Sequence, residues 1–174
     1  MKLSRSIERN ARKAAVAFAL SALAFSVSAG ADEQKIPYTM TAITDASFGT
    51  QVTEGHYETA IQRISAPTFN RQGSFESKTN LCVAYTKNAQ IDEATAVCDA
   101  AVSRLKRMSS VEMSRTDLAI ALSNRGVLRA VKGEIELARK DFQDAIELRS
   151  GLSAPETNLA RLDSDIFAET YSAN

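Results

Sequence analysis

The chain repeats its own pattern. Tyr57, Ala60 and Ile64 are followed 34 residues later by Ile91, Ala94 and Cys98, and 44 residues beyond those by Ile135, Ala138 and Phe142. Ala101 and Ala145 extend the last two sets. Steps of three and four residues put each set on one face of an α-helix, so the sets mark equivalent buried stripes on three helices. A second register lies on the helices that precede them: Asn80-Leu81-Cys82, then Asn124-Arg125-Gly126 after 44 residues, then Asn158-Leu159-Ala160 after another 34. Small side chains at Cys82, Gly126 and Ala160 allow close helix crossings, with Ala94 and Ala138 receiving them. A neighbouring backbone close to Gly126 explains a glycine inside a helical run, where it otherwise costs about 1 kcal/mol relative to Ala.

Breaks near Ser65-Ala66-Pro67, Asn70-Arg71-Gln72-Gly73, Ser109-Ser110 and Ser150-Gly151-Leu152-Ser153 divide the chain into short helices. In this organisation the chain resembles the tetratricopeptide repeat family. The best unit runs over 119–152, with Gly126 at the small position of its first helix, Gly133 at the turn, and Ala138, Phe142 and Ala145 along its second helix. A weaker unit runs over 75–108, where Leu81, Cys82, Tyr85, Ala89, Ala94, Cys98 and Ala101 take the corresponding places. The segment from Gly55 to Ala60 resembles the turn of an earlier unit whose first helix is not recognisable, and a terminal helix is expected over about 154–171. The departures are the absence of Trp, Arg125 at a position usually apolar, Cys82 in place of Gly or Ala, and Ser150 in place of Pro. About ten further residues, Ser109 to Leu118, either extend a helix or form a loop. The expected fold is all-α, a short tetratricopeptide-like stack of antiparallel helical hairpins over 55–174 with an extended N-terminal arm.

Ahead of the repeats, Lys2, Arg5, Arg9, Arg12 and Lys13 run into the small and apolar stretch Ala14 to Ala29, the pattern of a secretory signal peptide over 1–29. Cleavage before Gly30 or before Asp32 fits equally. Sixteen residues are few for a membrane span of about 20. The full chain is formally neutral, with 21 basic and 21 acidic side chains, but without residues 1–29 it has 16 against 20 and a formal charge of −4. Neither total supplies the basic stripe that nucleic-acid binding requires, so no nucleic-acid partner is expected. Residues 30–54 contain Pro37, Gly49 and the alternating stretch from Tyr38 to Ile43, and are expected to form an extended arm or linker with one short strand. In an oxidising compartment Cys82 and Cys98 have one intramolecular pairing, worth about 3 kcal/mol; the other reading is two buried thiols used as small apolar residues.

No local pattern supplies a nucleophile, base or metal site, and there is no glycine-rich phosphate cradle, so no catalytic residue, metal or cofactor is expected. Glu134, Glu136 and Asp141 read as helix-surface acids beside Arg139 and Lys140. Arg125 and Arg129 share a helix face, to anchor an acidic partner or to meet nearby acids. The family resemblance implies that the first helix of each hairpin lines a concave face. It places Glu76, Thr79, Val83, Thr86 and Lys87 there, followed by Ile120, Ser123, Val127, Ala130 and Val131. The repeat packing falls to Ala94, Ala101, Gly126, Ala138, Phe142, Ala145 and Ala160. The expected function is an exported, periplasmic or secreted, non-catalytic module binding an unknown protein or peptide of the cell envelope, with no membrane segment after cleavage. The alternatives are a structural envelope protein whose arm fills its own groove, or an enzyme with an unrecognised site.

Overall fold

Helices begin and end where the chain changes chemistry. The computed structural model describes residues 36–69, 73–108 and 112–172, all within one compact unit, Lys35–Asn174; the expected signal peptide over 1–29 lies outside the described residues. Among them are seven helices: α1 (Gly49–Thr53), α2 (Tyr57–Ser65), α3 (Phe75–Lys87), α4 (Ile91–Arg107), α5 (Glu112–Val131), α6 (Ile135–Leu148) and α7 (Ser153–Ser172). The fold is all-α, a stack of helical hairpins, and of the added residues before Ala119, residues 112–118 lengthen α5 rather than form a loop. Ser74 opens α3 by accepting the Ser77 N–H at 3.2 Å.

Three turns carry the repeat in their backbones. Gly55, Ala89 and Gly133, offset by 34 and 44 residues, have φ of 84°, 56° and 75°. At each, the following N–H donates five residues back: His56 to Gln51, Gln90 to Tyr85 and Glu134 to Arg129, at 2.8, 2.9 and 2.8 Å. These bonds satisfy carbonyls that a helix end leaves open, and they turn α1 into α2, α3 into α4 and α5 into α6 alike. The unrecognised first helix of the earliest hairpin is thus α1, a helix of five residues.

Each helix packs on its chain neighbours. In addition α1 touches α3, α3 touches α5 and α5 touches α7, whereas α2, α4 and α6 make no such contacts with one another. The odd-numbered helices therefore form a close inner row, and the even-numbered ones a splayed outer row.

Equivalent positions hold the hairpins together by different chemistry. Cys82 of α3 is disulfide-bonded to Cys98 of α4, with Cα atoms 4.8 Å apart. The same two positions one hairpin later are Gly126 and Phe142, where a Cβ on the glycine would lie 2.6 Å from the phenyl ring. Gly126 is required by the Phe142 ring, not by a neighbouring backbone as the sequence suggests. One hairpin earlier the pair is Phe48 and Ile64, both in one apolar cluster. Leu81 and Val97 share that cluster as well, and their equivalents are Arg125 and Asp141, so an apolar pair has been replaced by a charged one.

Ala94, Ala101, Ala138, Phe142 and Ala145 are buried as expected. Ala160 is exposed instead, because α7 packs only on α5 and α6 among the described helices.

Candidate functional site

The segment from Ile36 to Ile43 is extended, as its alternating sequence suggests, but it pairs with no strand among the described residues. It lies along α7, α5 and α3 of the inner row, held by three asparagine side chains. Thr39 N–H donates to Asn158 Oδ1 at 2.8 Å, and Asn158 Nδ2 donates to the Thr39 carbonyl at 2.7 Å. Asn124 holds Thr41 in the same way, at 2.8 Å for both bonds, and Asn80 holds Ile43 at 2.8 and 3.1 Å. In an extended chain the N–H and C=O of one residue point to the same side, and alternate residues point to the same edge. A side-chain amide carries one acceptor and two donors, so each asparagine presents to the arm what a neighbouring β-strand would present. Successive clamps step two residues along the arm, and the arm runs N to C opposite to the order of the helices.

The other edge of the arm meets a cation. Lys87 Nζ donates to the carbonyls of Ile36 at 3.3 Å and Tyr38 at 2.9 Å. The Tyr38 hydroxyl donates to Asp165 Oδ2 at 3.0 Å. Tyr38 is buried against Val127, Ala138, Phe142 and Leu162. Met40 packs against three separate apolar clusters, one of which contains the Cys82 and Cys98 disulfide, and Ala42 packs against the cluster around Val83 and Ala84. An open cavity of about 550 Å³ runs beside this stretch, bounded by Pro37, Met40, Lys87 and Arg161. After Ile43 the chain turns sharply: Ala46 N–H donates to the Ile43 carbonyl at 3.3 Å, and a Cβ on Gly49 would overlap that carbonyl. Among the described residues the helices therefore begin at Gly49, before the boundary at residue 54 that the composition suggests.

The residues expected to bind a peptide fall in three places. Lys87, Val83 and Val127 meet the arm, by hydrogen bonds in the first case and through shared apolar clusters in the others. Ala130 is half-buried in the same cluster as Tyr38 and Val127, and Val131 is exposed past it. Thr79, Thr86 and Ser123 are buried, and none hydrogen-bonds the arm. Thr79 and Thr86 share a helical stripe with Cys82, and Ser123 with Gly126, so they belong to the packed side rather than the groove. Thr86 Oγ1 donates to the Cys82 carbonyl at 2.7 Å, while Thr79 Oγ1 and Ser123 Oγ have no hydrogen-bond partner among the described residues. The three asparagines are visible in sequence as register marks. Their use was not, although a buried, helix-disfavouring side chain recurring mid-helix calls for a partner outside the helix.

Asp141 is not a surface acid. It is 1% exposed and accepts from Arg125 Nε at 2.8 Å, Arg125 Nη2 at 2.7 Å and Arg129 Nη1 at 2.7 Å. Arg125 Nη1 also meets Asp99 at 3.1 Å. Burial opposes the Arg125 charge, but the hydrogen bonds and charge of Asp141, with Asp99 behind them, hold the guanidinium above its ordinary range. Both arginines are thus engaged with acids of their own chain. Burial, and then the nearby Glu76, raises the Asp117 carboxyl above its ordinary value. Among the described residues no cluster of side chains is arranged to hold a metal ion, and no helix is long and apolar enough to cross a membrane. No family model, curated protein or solved structure matches the chain.

Proposed function

We propose that this protein is an exported, non-catalytic helical-repeat module of the tetratricopeptide type that holds an extended peptide by its backbone. The single observation that supports this is the asparagine ladder: three side-chain amides in repeat register, each meeting both the N–H and the C=O of one peptide residue. Such contacts recognise a conformation and not a side chain, as in the addition of a strand to a sheet edge. The disulfide agrees with an oxidising compartment, periplasmic or extracellular. In the chain as it stands the arm is the resident peptide, and a partner segment competes with it. The second reading, a structural envelope protein with a permanently filled groove, is favoured by the tight turn that ties the arm to α1.

The two readings differ in whether the groove accepts a peptide that is not tethered to it. Full chain carrying Thr39→Pro and Thr41→Pro lacks two of the N–H donors that the clamps accept. We expect it to bind a labelled free peptide of residues 36–43 by fluorescence anisotropy, and adding Asn124→Ala to remove that binding. Unaltered chain should bind far more weakly, because its arm competes at an effective concentration on the order of millimolar. A variant that retains its helical circular dichroism but ignores the peptide would establish the structural reading instead.

A further inference from the structure

We infer that the groove selects its partner by side chains at alternate positions, and that the partner is an uncharged extended segment of another polypeptide with the inward pattern aromatic hydroxyl, long unbranched apolar, small. This rests on the groove accepting a peptide in trans. The resident arm supplies the chemistry. Its odd-numbered residues Thr39, Thr41 and Ile43 give their amides to the clamps, and Thr39 is exposed. Its even-numbered residues carry the side chains that meet the inner row. Tyr38 is 8% exposed with its hydroxyl on Asp165, Met40 spans three clusters, and Ala42 lies against Val83 and Ala84. The backbone clamps are blind to sequence; the inward positions are not.

Each inward position has a physical reason for its preference. The first needs a ring to fill the space among Val127, Phe142 and Leu162, and a hydroxyl to reach Asp165. At the second, an unbranched side chain can lie across three clusters that were not built as one surface. The third, Ala42, is half-buried against the cluster of Val52, Ala60, Ile64 and Leu81, where a methyl makes the contact. A carboxylate at the first position would stand against Asp165, and a charge at the second or third would replace an apolar contact with a polar group taken partly out of water. Proline is excluded at the clamped positions, because it has no N–H to donate. Pro37 obeys this rule: it stands two residues before Thr39, one step past the last asparagine of the ladder. Lys87 adds polarity, since it meets carbonyls on the opposite edge only at the start of the segment.

The test is a peptide series on the full chain bearing Thr39→Pro and Thr41→Pro, read by anisotropy. Relative to the peptide of residues 36–43, replacing its Met by Asp should weaken binding by about tenfold or more, and replacing its Tyr by Phe by a few-fold, about three to ten. Lysine in place of the first Thr should leave affinity within about twofold, because that side chain faces solvent. The reversed sequence should not bind at the same register. Equal affinity for all these peptides would overturn the alternate-position code while leaving backbone holding intact, whereas no binding by any of them would overturn both. If the double proline variant loses its helical circular dichroism, the same series is run on full chain with Thr41→Pro alone, which removes the central clamp donor of the competing arm, and the same outcomes decide.

Discussion

Ala89 is the one non-glycine among the three repeat turns, at φ 56° where Gly55 and Gly133 have 84° and 75°. A left-handed conformation costs an L-residue with a Cβ about 1–2 kcal/mol. Ala89→Gly should therefore raise stability in urea unfolding by up to about 1 kcal/mol, the gain being trimmed by the extra freedom of glycine in the unfolded chain. A second residue-scale effect concerns Asp117. Its raised pKa means that the folded state disfavours the ionised carboxyl more than the unfolded state does, so stability increases as pH falls through the folded value. Asp117→Asn should be more stable than the parent at neutral pH, and the difference should vanish where Asp117 is protonated in both states. A difference that persists unchanged in acid would rule out titration as its cause. Single residues were also where the sequence was least legible. Asp141 has the spacing of a surface acid, and only the position of Arg125 on the facing helix makes it the buried acceptor of three charged hydrogen bonds. Breaking such a pair leaves a buried charge alone, which explains why both partners occur together.

Helices and hairpins were far more legible, because burial imposes a period on sequence that solvent does not. The unit read as 75–108 contains α3 and α4 between its ends, and the unit read as 119–152 contains α6 and most of α5. What the pattern could not specify was how each crossing is filled. The same pair of positions is a disulfide at Cys82 and Cys98, a glycine under a ring at Gly126 and Phe142, and an aromatic on a branched aliphatic at Phe48 and Ile64. Both the bulk at the crossing and its distribution between the two helices change from one hairpin to the next. Gly126→Leu places a side chain where the fully buried Phe142 ring already lies, and should destabilise the chain by about 1–3 kcal/mol. Adding Phe142→Ala should recover part of that loss in the same urea titration. Additive losses would show that the two positions do not share one space.

At the scale of the molecule, the arm was legible as extended and the inner row as helical, but their meeting was not. Residues 39, 41 and 43 contact residues 158, 124 and 80, and pairings so distant in sequence leave no local period to detect. The clamps should act together, since the arm between them has little independent structure. We expect hydrogen exchange to find the amides of Thr39, Thr41 and Ile43 protected, and Asn124→Ala to release all three rather than Thr41 alone. Loss of protection confined to Thr41 would mean that each clamp holds independently.

The two-residue step of the ladder has a geometric consequence. Two extended residues advance about 6.6–6.8 Å, whereas packed helix axes lie about 8–10 Å apart. Asparagine tips match the shorter spacing only where they converge on the inside of a curve. The row of helices is therefore a ruler whose graduation is set by its bend: each added asparagine-bearing helix lengthens the measured segment by two residues, and flattening the stack would put the tips out of step with the chain they hold.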